Sequence, residues 1–460
     1  MMKTIDGISS MINCDDDKIS LAWRNLRYKA SNPFVVAGDG GGGKIILQRL
    51  NGHLLFNTLN AFLGPSGTGK TTLLNCLNGT LRTGLTMDSE LYLNRYYNDN
   101  MMNKSPIIRF VEQHVHETII GIMTVKEILY YAFCFKNSPK SSTSMNKHIE
   151  MILSELLLDP SILDNRFDHC SGGEQKRIAI AQELMSTEMP SFLFIDEPTT
   201  GLDSHAALLM IRCLRNLLDN HQQNRLTIIT SIHTPNSEIM NLFDKIFILS
   251  RGGLCIYSGS PKLLSNNICE QLQSNDDDDD DRSPIEQYMR IACKGIDDDN
   301  VRKLAMKCLN DENEILRPLV DRMQFLDNGL SIHHKSFRFE DFLLQLTRMF
   351  NLIFIKQFKN RIFTLFTSFV LFFAHSIMFD PKMVEPNVCT WIEDHDQIWS
   401  NLTCPEKVNN EFLIESYLHY QSFAIMFFGY LLITLSSIAF GELIKVIQNE
   451  HRNGKLMNSL

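Results

Sequence analysis

The sequence predicts an α/β domain built on a largely parallel sheet, followed by an α-helical membrane segment. Three observations carry this reading. From Leu21 to Asp244, short apolar runs alternate with helical patterns. Inside that region a glycine-rich loop, Gly64-Pro65-Ser66-Gly67-Thr68-Gly69-Lys70-Thr71-Thr72, joins an apolar run to a helical one. Towards the C-terminus, two long apolar stretches contain no Asp, Glu, Lys or Arg.

Composition sets the outer bounds. A chain of 460 residues has room for roughly two to four structural units. Mean hydropathy is -0.10, so the chain is not membrane-spanning throughout. The net charge of -9 argues against a nucleic-acid partner, which needs a basic face. Eleven cysteines are scattered without a CxxC pair, and those from Cys14 to Cys308 fit reduced thiols. The polar N-terminus has no apolar run of signal-peptide type.

In chain order, residues 1–20 read as a disordered N-terminus and 21–262 as the α/β domain. Gly38 to Lys44 fits G-x-x-x-x-G-K, but Ile45 follows and no helix opens there, so it reads as a hairpin loop. The loop Gly64–Thr72 also fits, and it has the strand before it and the helix after it that the motif requires. Its glycines let backbone N–H groups turn inward around phosphate oxygens, and the helix N-terminus adds partial positive charge. Lys70 would reach the β and γ phosphates, and the Thr71 hydroxyl would ligate Mg²⁺.

Gln113 follows a strand-like run and is a further candidate for the metal and the attacking water. Ser171, Gly172, Gly173 and Glu174 open a helix, which makes a second anion-binding end or an ordinary capping box. Phe192 to Ile195 is an apolar strand that ends in Asp196 and Glu197. Asp196 suits a Mg²⁺ ligand, and Glu197 suits a base that polarises water. Neighbouring strand side chains point to opposite faces, so the two serve one site only if the strand stops there. His233 ends another apolar strand.

Residues 263–336 read as a linker with helices, marked by six aspartates, Asp276–Asp281. Residues 337–360 carry Phe342, Leu343, Leu346, Met349, Phe350 and Ile353 at helical spacing. The partial transmembrane region, 361–460, holds spans at about 362–379 and 418–440. As a helix the first is about 27 Å long, close to a bilayer core. Lys356, Lys359 and Arg361 precede it, and Lys445, Arg452 and Lys455 follow the second. That bias puts both outer flanks in the cytosol and the loop 380–416 outside. The loop contains the acceptor pattern at Asn401 and two cysteines, Cys389 and Cys404, that are able to pair or stay free. His375 lies near the outer end of the first span.

The ordered set Lys70, Gln113, Ser171–Arg177, Asp196–Glu197, Asp203 and His233 resembles the nucleotide-binding domain of ATP-binding cassette (ABC) transporters. In that family a SGG signature followed by DEPTTGLD is close to diagnostic. The cassette-first order, Met123–Glu127, Ser231–Pro235 and Asn449–Gly454 resemble the G subfamily, the reverse half-transporters related to the White eye-pigment protein. The resemblance implies a mixed-sheet P-loop ATPase with a helical subdomain, an amphipathic connecting helix and a multi-pass membrane domain. It implies ATP and Mg²⁺ as ligands, with Thr71, Gln113 and Asp196 at the metal. A second half-transporter subunit is the implied partner, in a head-to-tail pair. Its signature (Ser171, Gly172, Gly173 and Glu174) and Asp203 would meet the nucleotide across the interface. Glu197 would be the catalytic base and His233 would touch the γ-phosphate. The implied function is export of an apolar or lipid-like substrate through membrane lipid. The subfamily has six spans and this sequence shows two, so a fragment or truncated form is expected. The alternative is a membrane-anchored regulatory subunit that binds ATP and dimerises without transporting. Gln175 stands where many relatives carry Arg, a change expected to be tolerated. Trp23 and Tyr28 are candidates for stacking on adenine, with core packing the stronger reading.

Overall fold

Two long strands begin the described part of the chain. In the computed structural model, β1 (Ile19–Lys29) and β2 (Ile45–Leu55) pair antiparallel, with Lys29 opposite Ile45. Gly43 and Lys44 lead into β2 of this antiparallel pair, and Gly38 to Gly42 lie outside the described residues. The structure describes residues 18–30, 43–94, 106–137, 145–233, 237–265, 283–318, 323–326 and 339–351. These fall in two units, Met1–Lys335 and Ser336–Leu460.

The first unit contains two sheets. β3 (Leu59–Leu63) leads through the glycine-rich loop into α1 (Lys70–Leu77). β4 (Glu90–Leu93) returns to pair with β1. β5 (Ile108–Val111) is followed by three helices, α2 (Val115–Thr118), α3 (Val125–Lys136) and α4 (Met145–Glu155). Thr124 and Glu127 form a reciprocal capping box at the start of α3, which fixes where that helix begins. All three helices pack on α5 (Gly172–Leu184), forming a helical subdomain beside the sheet.

β6 (Phe192–Ile195), α6 (Ser204–Asn220), β7 (Thr227–Ile232), α7 (Ser237–Met240), β8 (Lys245–Leu249) and β9 (Cys255–Gly259) follow. The larger sheet runs β5-β6-β7-β3-β8-β9. Its first five strands are parallel and β9 is antiparallel. Buried on both faces, β3, β6 and β8 are mostly apolar rather than alternating, while β7 buries Thr227, Thr230 and Ser231 among its isoleucines. The smaller sheet, β10-β4-β1-β2, is antiparallel and takes its edge strand from β10 (Gln324–Phe325).

An aromatic cluster joins the sheets. Trp23 of β1 lies 5.3 Å from Phe247 of β8 and 6.3 Å from Phe62 of β3, ring centroid to centroid. Trp23 is 1% exposed, so it belongs to the core and is not free to stack on a base. Tyr28 is buried as well.

The stretch read from sequence as a linker holds α8 (Pro284–Lys294) and α9 (Asp299–Leu316), and α9 packs on β9 and β2. Glu312 of α9 is buried among His53 of β2, Lys245 of β8 and Ser258 of β9. Its carboxylate meets His53 Nδ1 at 2.7 Å and Lys245 Nζ at 2.9 Å. Burial alone would raise the Glu312 pKa. The charges of Lys245 and His53 outweigh it and hold the group well below the usual carboxylate range. The aspartate run and residues 1–17 lie outside the described residues.

Asn78 caps the end of α1 and is buried, so its N-x-T pattern is no acceptor for sugar. The described cysteines, from Cys76 to Cys308, are free thiols. In the second unit, α10 (Phe339–Phe350) is helical as its spacing predicts, and Phe339, Phe342, Leu343, Leu346 and Phe350 are exposed. The expected spans at 362–379 and 418–440, His375, Asn401, Cys389 and Cys404 lie outside the described residues. Among the described residues no helix is long and apolar enough to cross a membrane.

Replacing Glu312 leaves Lys245 buried without its counter-charge. Glu312→Gln should destabilise the first unit by about 3 kcal/mol, read by chemical denaturation at neutral pH. The folded pKa of Glu312 is depressed, so its contribution is present above the ordinary glutamate range and fades as pH falls below it. The gap between wild type and variant should therefore narrow on acidification.

Candidate nucleotide site

The parallel register decides where the chemistry collects. Leu63 of β3 pairs with Ile232 of β7, Thr230 of β7 with Ile195 of β6, and Ile195 with Val111 of β5. Four strands thus end on one edge of the sheet. The chain leaving that edge carries the glycine-rich loop after Leu63, Gln113 after Val111, Asp196–Glu197 after Ile195 and His233 after Ile232. Ligands of open α/β sheets bind outside this carboxyl edge.

The loop has the backbone its sequence predicts. Gly64, Gly67 and Gly69 have φ of 150°, 80° and 96°. A Cβ on Gly64 would lie 2.4 Å from the Leu249 carbonyl oxygen, and one on Gly69 would lie 2.7 Å from Leu47 Cδ2. Gly64 therefore requires glycine by conformation and by space, and Gly69 by conformation. Thr68 Oγ1 donates to the Pro65 carbonyl, tightening the turn. Lys70 is buried, and its ammonium donates to the carbonyls of Gly64 at 2.8 Å and Pro65 at 3.0 Å. Burial lowers its pKa, against the opposing pull of Glu197 and Asp196.

Opposite the loop, Asp196 is buried at the end of β6. It accepts bonds from the Thr71 hydroxyl at 3.2 Å and from the Ser231 hydroxyl of β7. Burial raises its pKa, and these two hydroxyls work against that rise. Glu197 has φ of 45°, a left-handed conformation that a non-glycine residue rarely adopts. The strand stops at Ile195, and the alternation of side chains stops with it. This meets the condition under which both carboxylates can serve one site.

Glu197 Oε2 accepts from Gln113 Nε2 and from Thr200 Oγ1, each at 2.8 Å. Its N–H donates to Ser231 Oγ at 2.8 Å. Lys176 of α5 donates to the carbonyls of Glu197 and Thr200, each at 2.8 Å. Burial brings the Lys176 pKa down to about 8, although Glu197 and Asp196 oppose the shift. The oxygen set Thr71 Oγ1, Asp196 carboxylate and Gln113 amide has the hard-donor character that Mg²⁺ takes, and the glycine cradle suits phosphate. The residues fit both groups.

Ser171 caps α5 in a complete capping box with Glu174, and Ser171 and Gly172 are exposed. The capping and anion-site readings are therefore compatible. Gln175 is buried and donates to the Phe167 carbonyl at 3.0 Å, a bond that an amide suits well. Asp203 is exposed and caps α6 by accepting from the Ala206 N–H at 2.7 Å. His233 is half-buried directly after β7. Sequence reasoning missed Ser231 and Thr200, and it gave Lys176 no role of its own. Their sequence signal is slight, because hydroxyls and lysines are common and most of these bonds reach backbone.

Residues 47–200 match the family model described as ABC transporter. "ABC transporter G family member 13" of Arabidopsis thaliana is 30% identical over 314 residues, covering 67% of this chain and 43% of that protein. The chain belongs to the ABC transporter family, of the G type. A "Probable ATP-dependent permease" of Saccharomyces cerevisiae is 34% identical over 266 residues, covering 56% of this chain and 24% of that protein. The chain thus spans less than half the length of either relative. The ADP conformation of an ATP-binding cassette of an ABC transporter, among solved structures, is 21% identical, with TM-score 0.41, and covers 55% of this chain and 95% of that one. The family match over residues 47–200 and the sheet order make the first unit an ATP-binding cassette with the P-loop fold and a mixed sheet.

The cassette's loop tolerates no side chain at its first glycine. Gly64→Ala should move the loop off the Leu249 carbonyl and weaken ATP binding at least tenfold in a fluorescent-nucleotide titration. Lys70→Ala should weaken the same binding; unaltered affinity would mean that Lys70 does not reach the phosphates.

Proposed function

We propose that this chain is an ATP-hydrolysing half-transporter subunit that couples hydrolysis to export of an apolar or lipid-like substrate. It works as a homo- or heterodimer with a second half-transporter subunit. The observation that carries this reading is the convergence of Lys70, Thr71, Gln113, Asp196 and Glu197 on one sheet edge, with Ser171 and Gly172 open to solvent.

Two cassettes close head to tail on two ATP molecules. Gly64–Thr72 (including Pro65, Ser66, Gly67 and Thr68) wraps the phosphates with backbone N–H groups, and Lys70 neutralises the β and γ oxygens. Thr71, Gln113 and Asp196 would hold Mg²⁺, which supplies charge neutralisation on the same oxygens. Glu197, oriented by Gln113 and Thr200, takes a proton from the attacking water as that water bonds the γ-phosphorus and the bond to the β-phosphate oxygen breaks. His233 steadies the γ-phosphate. Ser171, Gly172 and Gly173, with Glu174 and Asp203 beside them, meet the nucleotide of the partner cassette. The cassette lies in the cytosol, and the exposed apolar face of α10 suits the cytosolic membrane surface beside a multi-pass domain.

Glu197→Gln should keep ATP binding and lose hydrolysis about a hundredfold or more, read by phosphate release. Unchanged turnover would remove Glu197 from the role of base. Ser171→Arg should leave nucleotide affinity intact and block ATP-driven dimerisation in a sizing assay; normal dimerisation in that variant counts against the sandwich.

A further inference from the structure

Glu197 sits in a conformation that its own chemistry disfavours. A left-handed non-glycine residue persists when its surroundings over-determine it, and here two groups grip its backbone from opposite ends. Ser231 of β7 takes the N–H. On the carbonyl side, the Thr200 N–H returns to Glu197 O at 3.3 Å, and the Lys176 ammonium bonds both Glu197 O and Thr200 O. The lysine therefore bridges the two carbonyls that close the turn from Glu197 to Thr200. Its two acceptors are uncharged, so removing it leaves no buried unpaired charge. It comes from α5, the helix that begins at the exposed Ser171.

We propose that Lys176 is a positioning residue for Glu197, fixing the turn that aims the carboxylate and tying that turn to the helix headed by Ser171. The inference rests on the proposed role of Glu197 as the base. Lys176 touches backbone carbonyls, and its effect on the reaction passes through the orientation of Glu197. Movement of α5 on engagement of Ser171 therefore reaches the base of the same chain, which links one nucleotide position of a dimer to the other. Gln113 and Thr200 orient the Glu197 side chain, while Lys176 and Ser231 set its backbone.

The test compares the full chain with Lys176→Met, which keeps the apolar stem, and Lys176→Arg, which keeps the donors. ATP turnover, KM for ATP and thermal melting are measured for each. Lys176→Met should lower kcat about ten- to hundredfold with KM within about twofold, as expected for a misaimed base. Lys176→Arg should recover most of that loss. A kcat for Lys176→Met within about twofold of wild type overturns the inference. So does a Lys176→Arg variant no faster than Lys176→Met, because the stem rather than the donors would then matter. Should Lys176→Met fail to fold, Lys176→Leu, which also lacks donors, is measured in its place with the same outcomes. Absence of hydrolysis in the wild-type chain overturns the proposed function and this inference with it. Normal wild-type hydrolysis with an indifferent Lys176 overturns the inference alone.

Discussion

Four parallel strands in register are the constraint on which the rest of this molecule depends. Because β5, β6, β7 and β3 run side by side in the same direction, residues far apart in the chain leave the sheet at one edge. The glycine loop, the two carboxylates, Gln113 and His233 need no further device to become neighbours. Their side chains are then adjusted by short hydrogen bonds, among which the Ser231 hydroxyl bonds both Asp196 and the backbone of Glu197.

That edge is also where the backbone is least relaxed. Gly64 and Gly69 take conformations closed to other residues, and Glu197 takes one that costs a side-chain-bearing residue energy. The strain has a geometric use. A strand that continued past Ile195 would send the second carboxylate to the opposite face of the sheet. The left-handed turn keeps Glu197 beside Gln113 and Thr200, on the edge that Asp196 faces. Two lysines accompany the strain: buried Lys70 and half-buried Lys176 both bond backbone carbonyls, which offsets part of the cost of drawing their charges out of water.

Behind the site, the two sheets are joined by aromatic packing around Trp23 and by a buried ionic group at Glu312. The aromatic cluster supplies area without direction. The ionic group is directional: His53, Lys245 and Ser258 present polar atoms to one carboxylate, so α9 has one seat on β2 and β9. This makes α8 and α9 part of the cassette unit.

The sequence alone determined the cassette and marked most of its candidate site. A phosphate cradle forces glycines at fixed spacing ahead of Lys70 and Thr71, and a buried strand ending in Asp196 and Glu197 needs an apolar run before it; both leave local patterns. The helix at 339–350 was legible for the same reason. Only the tertiary structure decided what depends on partners distant in the chain. Glu312 is an ordinary helical glutamate until His53, 259 residues away, and Lys245, 67 residues away, close around it. Lys176 and Ser231 act on the backbone of Glu197, whose N–H and C=O are the same for any residue and so write nothing into the sequence. The left-handed turn at Glu197 was equally silent, because its cause lies in the groups that grip it rather than in the residue that adopts it.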